Sequence, residues 1–210
     1  MKNYLLSSSK IAQRLRGLEK KLAECTGIFL GYPANAAYDY TELYKFFRFP
    51  LNNIGNPFGE NAYGVHKHEF EREVLAFFAD LYHVPRRRYS GYVTNGGTEG
   101  NMYGLYLARE AHPKGIVYFS EDAHYSIPKI CRVLHLPSAS VASQPRGEMC
   151  YEALARRMQK NRRVPAIVLA NIGTTMKGAV DRIGAIRSVL RRARVRQSYI
   201  HCDAALGGML

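Results

Sequence analysis

The sequence has no tryptophan and only 4 cysteines in 210 residues. Cys25, Cys131, Cys150 and Cys202 lie far apart, and no C-x-x-C pair occurs. That spacing excludes a zinc ribbon and gives no support to a secretory disulfide framework. Long apolar runs are missing too. None approaches the roughly 20 residues that span a bilayer. The opening "MKNYLLSSSK" has too short an apolar core for a signal peptide. A reduced, cytoplasmic protein with no membrane partner is the expectation. Acidic residues are scarce: 17 Asp plus Glu stand against 30 Lys plus Arg, a formal charge of +13. So large a charge suits an anionic partner. The basic residues, however, are spread over helical stretches such as "RSVLRRARVRQ", without a uniform basic tail or an aromatic-interleaved RNA motif. A solvated basic face is the expectation, and direct nucleic-acid binding the weaker alternative.

What remains is an ordinary globular composition, 47% apolar and 11% aromatic, which argues against disorder. Ile11, Leu15, Leu18 and Leu22 recur at helical spacing and predict an amphipathic helix. A segment rich in Gly, Pro, Asn and Tyr follows, from Gly31 to Gly64, and reads as an irregular arm with one short helix near residues 43–47. Such an arm has little to pack on by itself, which suits a place across a partner subunit or an active-site mouth. Phe70, Val74, Phe77, Phe78 and Leu81 predict a helix over 66–81, ended by Pro85 and the run from Arg86 to Arg88.

From residue 91 the pattern alternates. "GYVT", "GIVYF", "SASVAS", "AIVLAN" and "YIHCD" predict five short strands. Helices are expected between them at 98–111, 124–134, 151–159 and 183–193. Short apolar strands alternating with amphipathic helices predict an α/β fold, a mostly parallel sheet with helices on both faces. Ligands of such sheets collect at the carboxyl ends of the strands. The polar motifs fall at those ends.

"TNGGTEGN" joins a strand to a helix. Gly96 and Gly97 permit a tight turn, so that N–H groups of Gly97, Thr98 and Glu99, with the helix start, can receive a phosphate. A plain strand-to-helix turn accounts for the motif equally, and neither common nucleotide-binding fingerprint is matched. "SEDAHYS" sets His124 just past the second strand, where a structural histidine is the commoner case. "NIGTT" supplies Thr174 and Thr175, as ligand hydroxyls or as caps. "HCDAA" is the most telling. Asp203 ends an apolar strand, where an unpaired carboxylate is costly, so it calls for an arginine, a metal or a protonated ring nitrogen. Ala204 and Ala205 leave room for something flat. A metal held by His201, Asp203 and His124 is the competing reading, without further ligands at a recognisable spacing. In order, a phosphate turn, a histidine, a threonine pair, an aspartate and small residues suggest pyridoxal 5'-phosphate.

The same stretches carry a resemblance. "GIFLGYPANAAYDYTELYKFFRFPLNNIGNP", "GYVTNGGTEGNMYGLYLARE", "YFSEDAHYS", "SQPRGEM", "ANIGTTMKGAVD" and "HCDAALGGM", in this order, resemble the group II pyridoxal-phosphate-dependent amino-acid decarboxylases, in particular their bacterial histidine-decarboxylating branch. The resemblance implies the type I, aspartate-aminotransferase-like fold and a homodimer with active sites at the subunit interface. It implies decarboxylation of L-histidine to histamine and carbon dioxide, with another amino acid such as serine as the alternative substrate. It further implies that Gly97 and Thr98 help hold the phosphate, and that His124 stacks on the pyridine ring and touches the substrate. Ala205 would pack the opposite face, Thr175 lie beside the ring, and Asp203 keep the ring nitrogen protonated as a catalytic group.

By that resemblance, residues 1–64 are an N-terminal helix and arm, and residues 65–210 part of a cofactor-binding large domain. The family's covalent lysine follows in a Ser-x-x-His-Lys segment, whereas only "AALGGML" follows Asp203 here. All ten lysines, from Lys2 to Lys177, precede that place, and Lys177 beside the "GTT" loop is the one substitute to consider. The expectation is therefore a truncated form, without the small C-terminal domain and without turnover of its own. A non-catalytic subunit or a basic binding protein is the reading from other functional classes.

Overall fold

The structure, a computed structural model, describes residues 8–29, 39–60, 64–85 and 88–209. The chain divides into two compact units, Met1–Ser90 and Gly91–Leu210. In the first, α1 (Ser8–Thr26) and α2 (His68–Leu81) form where the apolar spacing predicts them. The short helix of the arm is a 3-10 helix, Thr41–Arg48. Much of the remaining arm, residues 30–38 and 61–63, lies outside the described residues, as do Arg86 and Arg87. The apolar stripes of these helices are not buried: α1 has no buried residue, and α2 buries only His68 and Ala79. Periodicity reports which side chains share a face, not whether anything covers it.

The second unit holds the sheet. Its strands are β1 (Ile116–Ser120), β2 (Ser138–Val141), β3 (Ala166–Asn171) and β4 (Ser198–Asp203). All neighbours are parallel, in the order β2-β1-β3-β4. The helices between them are α3 (Gly97–Ala111), α4 (Ser126–Val133), α5 (Tyr151–Lys160) and α6 (Ile183–Arg192). Along β3 every residue is buried, and alternate side chains enter two separate cores. Ile167 and Leu169 join Val117 and Phe119 under Leu105 and Ala108 of α3 and Ile127 and Ile130 of α4. Val168 and Ala170 join Tyr118 under Leu154 and Met158 of α5 and Ile186, Val189 and Leu190 of α6. Each fully buried Leu or Ile contributes on the order of 1.5–3 kcal/mol, so β3 is the axis of the unit.

One expected strand is not there. Residues 91–94, "GYVT", join no ladder among the described residues, so the sheet has four strands rather than five. Strand propensity alone does not make a strand. A second chain segment must run alongside to accept its N–H groups and donate to its carbonyls, and no described strand does so.

Candidate active site

Each motif occupies the carboxyl end of its strand or the start of its helix. Gly96 sits at φ +156° and ψ 174°, a region open to glycine, and caps α3. Gly97 opens the helix, and a Cβ there would stand 2.8 Å from the Cβ of Ala205. The absent side chain lets the helix start meet the segment that follows β4, more than 100 residues away in sequence. Among the described residues, no acceptor meets the N–H of Gly97 or Thr98. The expectation for Glu99 is corrected: its N–H and that of Gly100 both turn back to the Gly96 carbonyl, at 3.0 and 3.1 Å. A helix leaves only its leading amides unpaired, and a tight first turn reduces their number. Glu99 instead closes the turn with its side chain. Its carboxylate accepts from the Asn95 N–H at 2.8 Å and from the Tyr92 hydroxyl at 2.9 Å, which hold it below the usual carboxylate range.

His124 follows β1. Its Nδ1 accepts the Ser126 N–H at 3.3 Å and lies 2.8 Å from the Ser126 hydroxyl, which leaves Nε2 as the N–H-bearing nitrogen. The imidazole rests against Tyr125, centroids 4.2 Å apart. After β3, the two threonines part. Thr174 is buried and structural: its Oγ1 accepts the Ala179 N–H at 3.0 Å, and its own N–H donates to the Ala179 carbonyl at 2.9 Å. Thr175 is half-buried, with no partner among the described residues. Lys177 lies in the same loop, its ammonium 2.9 Å from the Asp122 carboxylate.

Asp203 ends β4. Its Oδ2 accepts from Asn101 Nδ2 at 2.9 Å and its Oδ1 from the Ala205 N–H at 3.2 Å. Among the described residues its partners are thus a neutral amide and a main-chain N–H, and no arginine pairs with it. A carboxylate has about four lone-pair sites, so two such bonds leave capacity for a ligand. His201, two residues back on the same face of the strand, bonds through Nε2 to Asn101 Oδ1 at 2.8 Å. Burial pushes the His201 pKa below its ordinary value, and the nearby Asp203 charge only partly opposes this. His201 is therefore occupied by Asn101, and no group of three or more potential metal ligands occurs among the described residues.

Two buried residues were not singled out by the sequence. Asn101 is the last letter of "TNGGTEGN"; its role appears only when α3 lies over β4. Asp181 lies 2% exposed and accepts from the Met149 N–H (2.7 Å), the Asn171 N–H (2.8 Å) and Asn171 Nδ2 (3.0 Å). It ties the end of β3 to the segment before α5. The turn after β4 is fastened as well: the Gly207 N–H donates to the Ile172 carbonyl at 2.9 Å, and any Cβ on Gly207 would collide with that same oxygen. At the opposite end of the sheet, Arg162, Arg163, Arg194 and Arg196 line an open cavity of about 930 Å³ before β3 and β4. That basic cluster is remote from the motifs by the length of the strands.

The parallel α/β sheet carries a glycine helix start, a histidine, a threonine and an acceptor aspartate at its carboxyl end. The model of the pyridoxal-dependent decarboxylase conserved domain matches residues 65–210, and the chain belongs to that family. It is 46% identical over 196 residues to a histidine decarboxylase of Mesorhizobium japonicum, covering 93% of this chain and 53% of that protein. It is 46% identical over 184 residues to a histidine decarboxylase of Morganella morganii, covering 86% of this chain and 48% of that protein. A serine decarboxylase of Oryza sativa subsp. japonica is 44% identical over 201 residues, covering 95% of this chain and 43% of that protein. The chain spans about half the length of these curated relatives. In fold it matches the L-methionine decarboxylase of Streptomyces sp. 590, with a TM-score of 0.85 at 24% identity, over 97% of this chain and 56% of that one. The α/β type I fold is thereby established for this chain. No helix among the described residues is long and apolar enough to cross a membrane.

The residues present fit the pyridoxal phosphate that the family implies. The N–H groups of Gly97 and Thr98 meet no acceptor among the described residues, and Asp203 keeps acceptor capacity at the end of a strand.

Proposed function

We propose that this chain is the cofactor-binding part of a pyridoxal-phosphate-dependent decarboxylase that converts L-histidine to histamine and carbon dioxide. The observation that carries the reading is the half-buried Asp203 carboxylate, held by Asn101 and Ala205 beside the Gly97 helix start. The N–H groups of Gly97 and Thr98, with the Thr98 hydroxyl, would bind the phosphate, where the helix dipole favours negative charge. His124 would cover one face of the ring and meet the substrate carboxylate through Nε2–H. Ala205, lacking bulk, would admit the ring on its other face, and Thr175 would present its hydroxyl at the ring edge. Asp203 would accept the proton-bearing ring nitrogen, because an adjacent negative charge favours the cationic form. When bound, pyridoxal phosphate supplies the electron sink that receives the electron pair as carbon dioxide leaves.

Histidine as the substrate rests on the 46% identity to two histidine decarboxylases. Serine is the second reading, supported by the 44% identity to a serine decarboxylase over 95% of the chain. The test is product analysis, with pyridoxal phosphate and each amino acid in turn, on the protein as its gene encodes it in full. Histamine from histidine supports the proposal. Ethanolamine from serine, with no histamine, replaces it with the second reading. Asp203→Ala should lower kcat by about 100-fold or more while altering cofactor affinity far less, because the ionic contact matters most as charge develops.

Assembly as a homodimer belongs to the same proposal. Ile11, Leu15, Leu18 and Leu22 of α1 are 45–60% exposed, an apolar stripe that a second copy can cover. Sedimentation at micromolar concentration tests it, and a strict monomer contradicts it.

A further inference from the structure

Asn101 and His201 lie behind the carboxylate that the proposed function uses, and the hydrogen bonds between them have a direction. An ionised carboxylate only accepts, so the 2.9 Å contact orients Asn101 with its NH2 toward Asp203. Asn101 Oδ1 then points the other way, toward His201 Nε2 at 2.8 Å, and a carbonyl oxygen only accepts. His201 must therefore carry its proton on Nε2. The series runs one way: His201 N–H to Asn101 C=O, Asn101 N–H to Asp203.

The surroundings hold this series in place. Asn101 is 4% exposed and sits in the second turn of α3, a helix anchored by Leu105 and Ala108 in the core. Gly104, one turn further along the same face, has no side chain, and a Cβ there would collide with the His201 ring at Cε1 and Nδ1. That bare position lets α3 close down on the imidazole so that Asn101 reaches both partners on β4. Burial disfavours the charged imidazole, so a positive charge that would compete for Asp203 is disfavoured there.

We propose, resting on the reading of Asp203 as the acceptor for a protonated ring nitrogen, that Asn101 is a positioning residue for that carboxylate and that His201 orients Asn101. The substrate-side consequence is selective: the device favours a ligand with a basic ring nitrogen over an equally shaped ligand without one. A purely structural role for Asn101 would weaken both ligands alike.

Two measurements on the chain decide the matter. In the wild-type protein, nitrogen-15 NMR of the histidine side chains at neutral pH should show His201 as the Nε2–H tautomer. An Nδ1–H tautomer overturns the series. Equilibrium binding is then compared for pyridoxal 5'-phosphate and for its analogue with carbon in place of the ring nitrogen. Wild type should prefer the nitrogen ligand by about tenfold or more, the size of one charge-assisted hydrogen bond. Asn101→Leu, similar in volume but without donor or acceptor, should reduce that preference to within about threefold while leaving the analogue's affinity nearly unchanged. His201→Gln, which retains an N–H donor, should keep most of the preference, and His201→Leu should lose it. Full preference in Asn101→Leu, or equal loss for both ligands, overturns the proposal. If wild type binds neither ligand, or both equally, the cofactor reading itself fails. The tautomer still decides whether the hydrogen-bond series runs in the stated direction.

Discussion

Replacing Asp181 with alanine is the most severe test of how the site is held. The carboxylate serves three donors: the main-chain N–H groups of Met149 and Asn171 and the Asn171 side-chain amide. Met149 is fully buried and Asn171 is 2% exposed, so water does not replace the lost acceptor without local opening. Each buried donor left without an acceptor costs about 1–3 kcal/mol. Relaxation makes the three costs less than additive, and the total expected for Asp181→Ala is about 3–5 kcal/mol. Set against the roughly 5–15 kcal/mol margin of a folded domain, that loss is a large share of the whole. Asp181→Asn preserves shape but turns one oxygen into a donor facing donors, and about 2–4 kcal/mol is expected.

Equilibrium denaturation in urea reads the change as a lower midpoint at constant slope. Hydrogen exchange reads it locally, as faster exchange at the Met149 and Asn171 amides. The loss should reach the site, because Asn171 is the last residue of β3 and the loop bearing Thr175 begins just beyond it. An unfolding free energy within about 1 kcal/mol of wild type, or unchanged protection at both amides, would refute the reasoning.

Further outcomes follow from the same geometry. Gly97→Ala places a methyl group 2.8 Å from Ala205 Cβ; it should cost about 1–3 kcal/mol and weaken pyridoxal phosphate binding, measured by equilibrium dialysis. Burial depresses the His201 pKa in the fold, so its contribution is present above the unfolded value near 6.5 and is lost as pH falls through the folded value. Denaturation midpoints should decline on acidification below about pH 6.5, and His201→Gln should flatten that decline; an identical pH profile in the variant contradicts it. Lys177→Met breaks a partly exposed ion pair with Asp122 and should cost no more than about 1 kcal/mol in thermal denaturation. Because Lys177 points to Asp122 and lies in no motif matching the family's covalent lysine, borohydride treatment with pyridoxal phosphate should give no stoichiometric label at Lys177 in peptide mapping, and such a label would show the opposite.

The alternating pattern, the order of the motifs and the parallel sheet were all legible in the sequence. Those features are set by local periodicity and by the need of short apolar strands to be covered on both faces. "AIVLAN" could be read as a strand buried on both sides because every residue in it is apolar or small except the last. Gly97, Thr98, His124, Thr175, Asp203 and Ala205 stand in motifs at strand ends and helix starts, and it is the resemblance carried by those motifs that implies them as site residues.

Other features are properties of contact, and contact depends on residues far apart in the chain. "GYVT" has strand propensity but no ladder among the described residues, which no local pattern reveals. Thr174 and Thr175 are neighbours of the same type, yet the loop back to Ala179 makes the first structural and leaves the second half-exposed. Asn101 and His201 are 100 positions apart and meet only because Gly104 lets α3 descend onto β4. The sequence by itself determined which chemical groups reach the end of the sheet, since that depends on spacing along each strand and turn. Only the tertiary structure decided which of those groups are held by others, since a hydrogen bond requires an orientation and a distance that the packing of helix on sheet supplies.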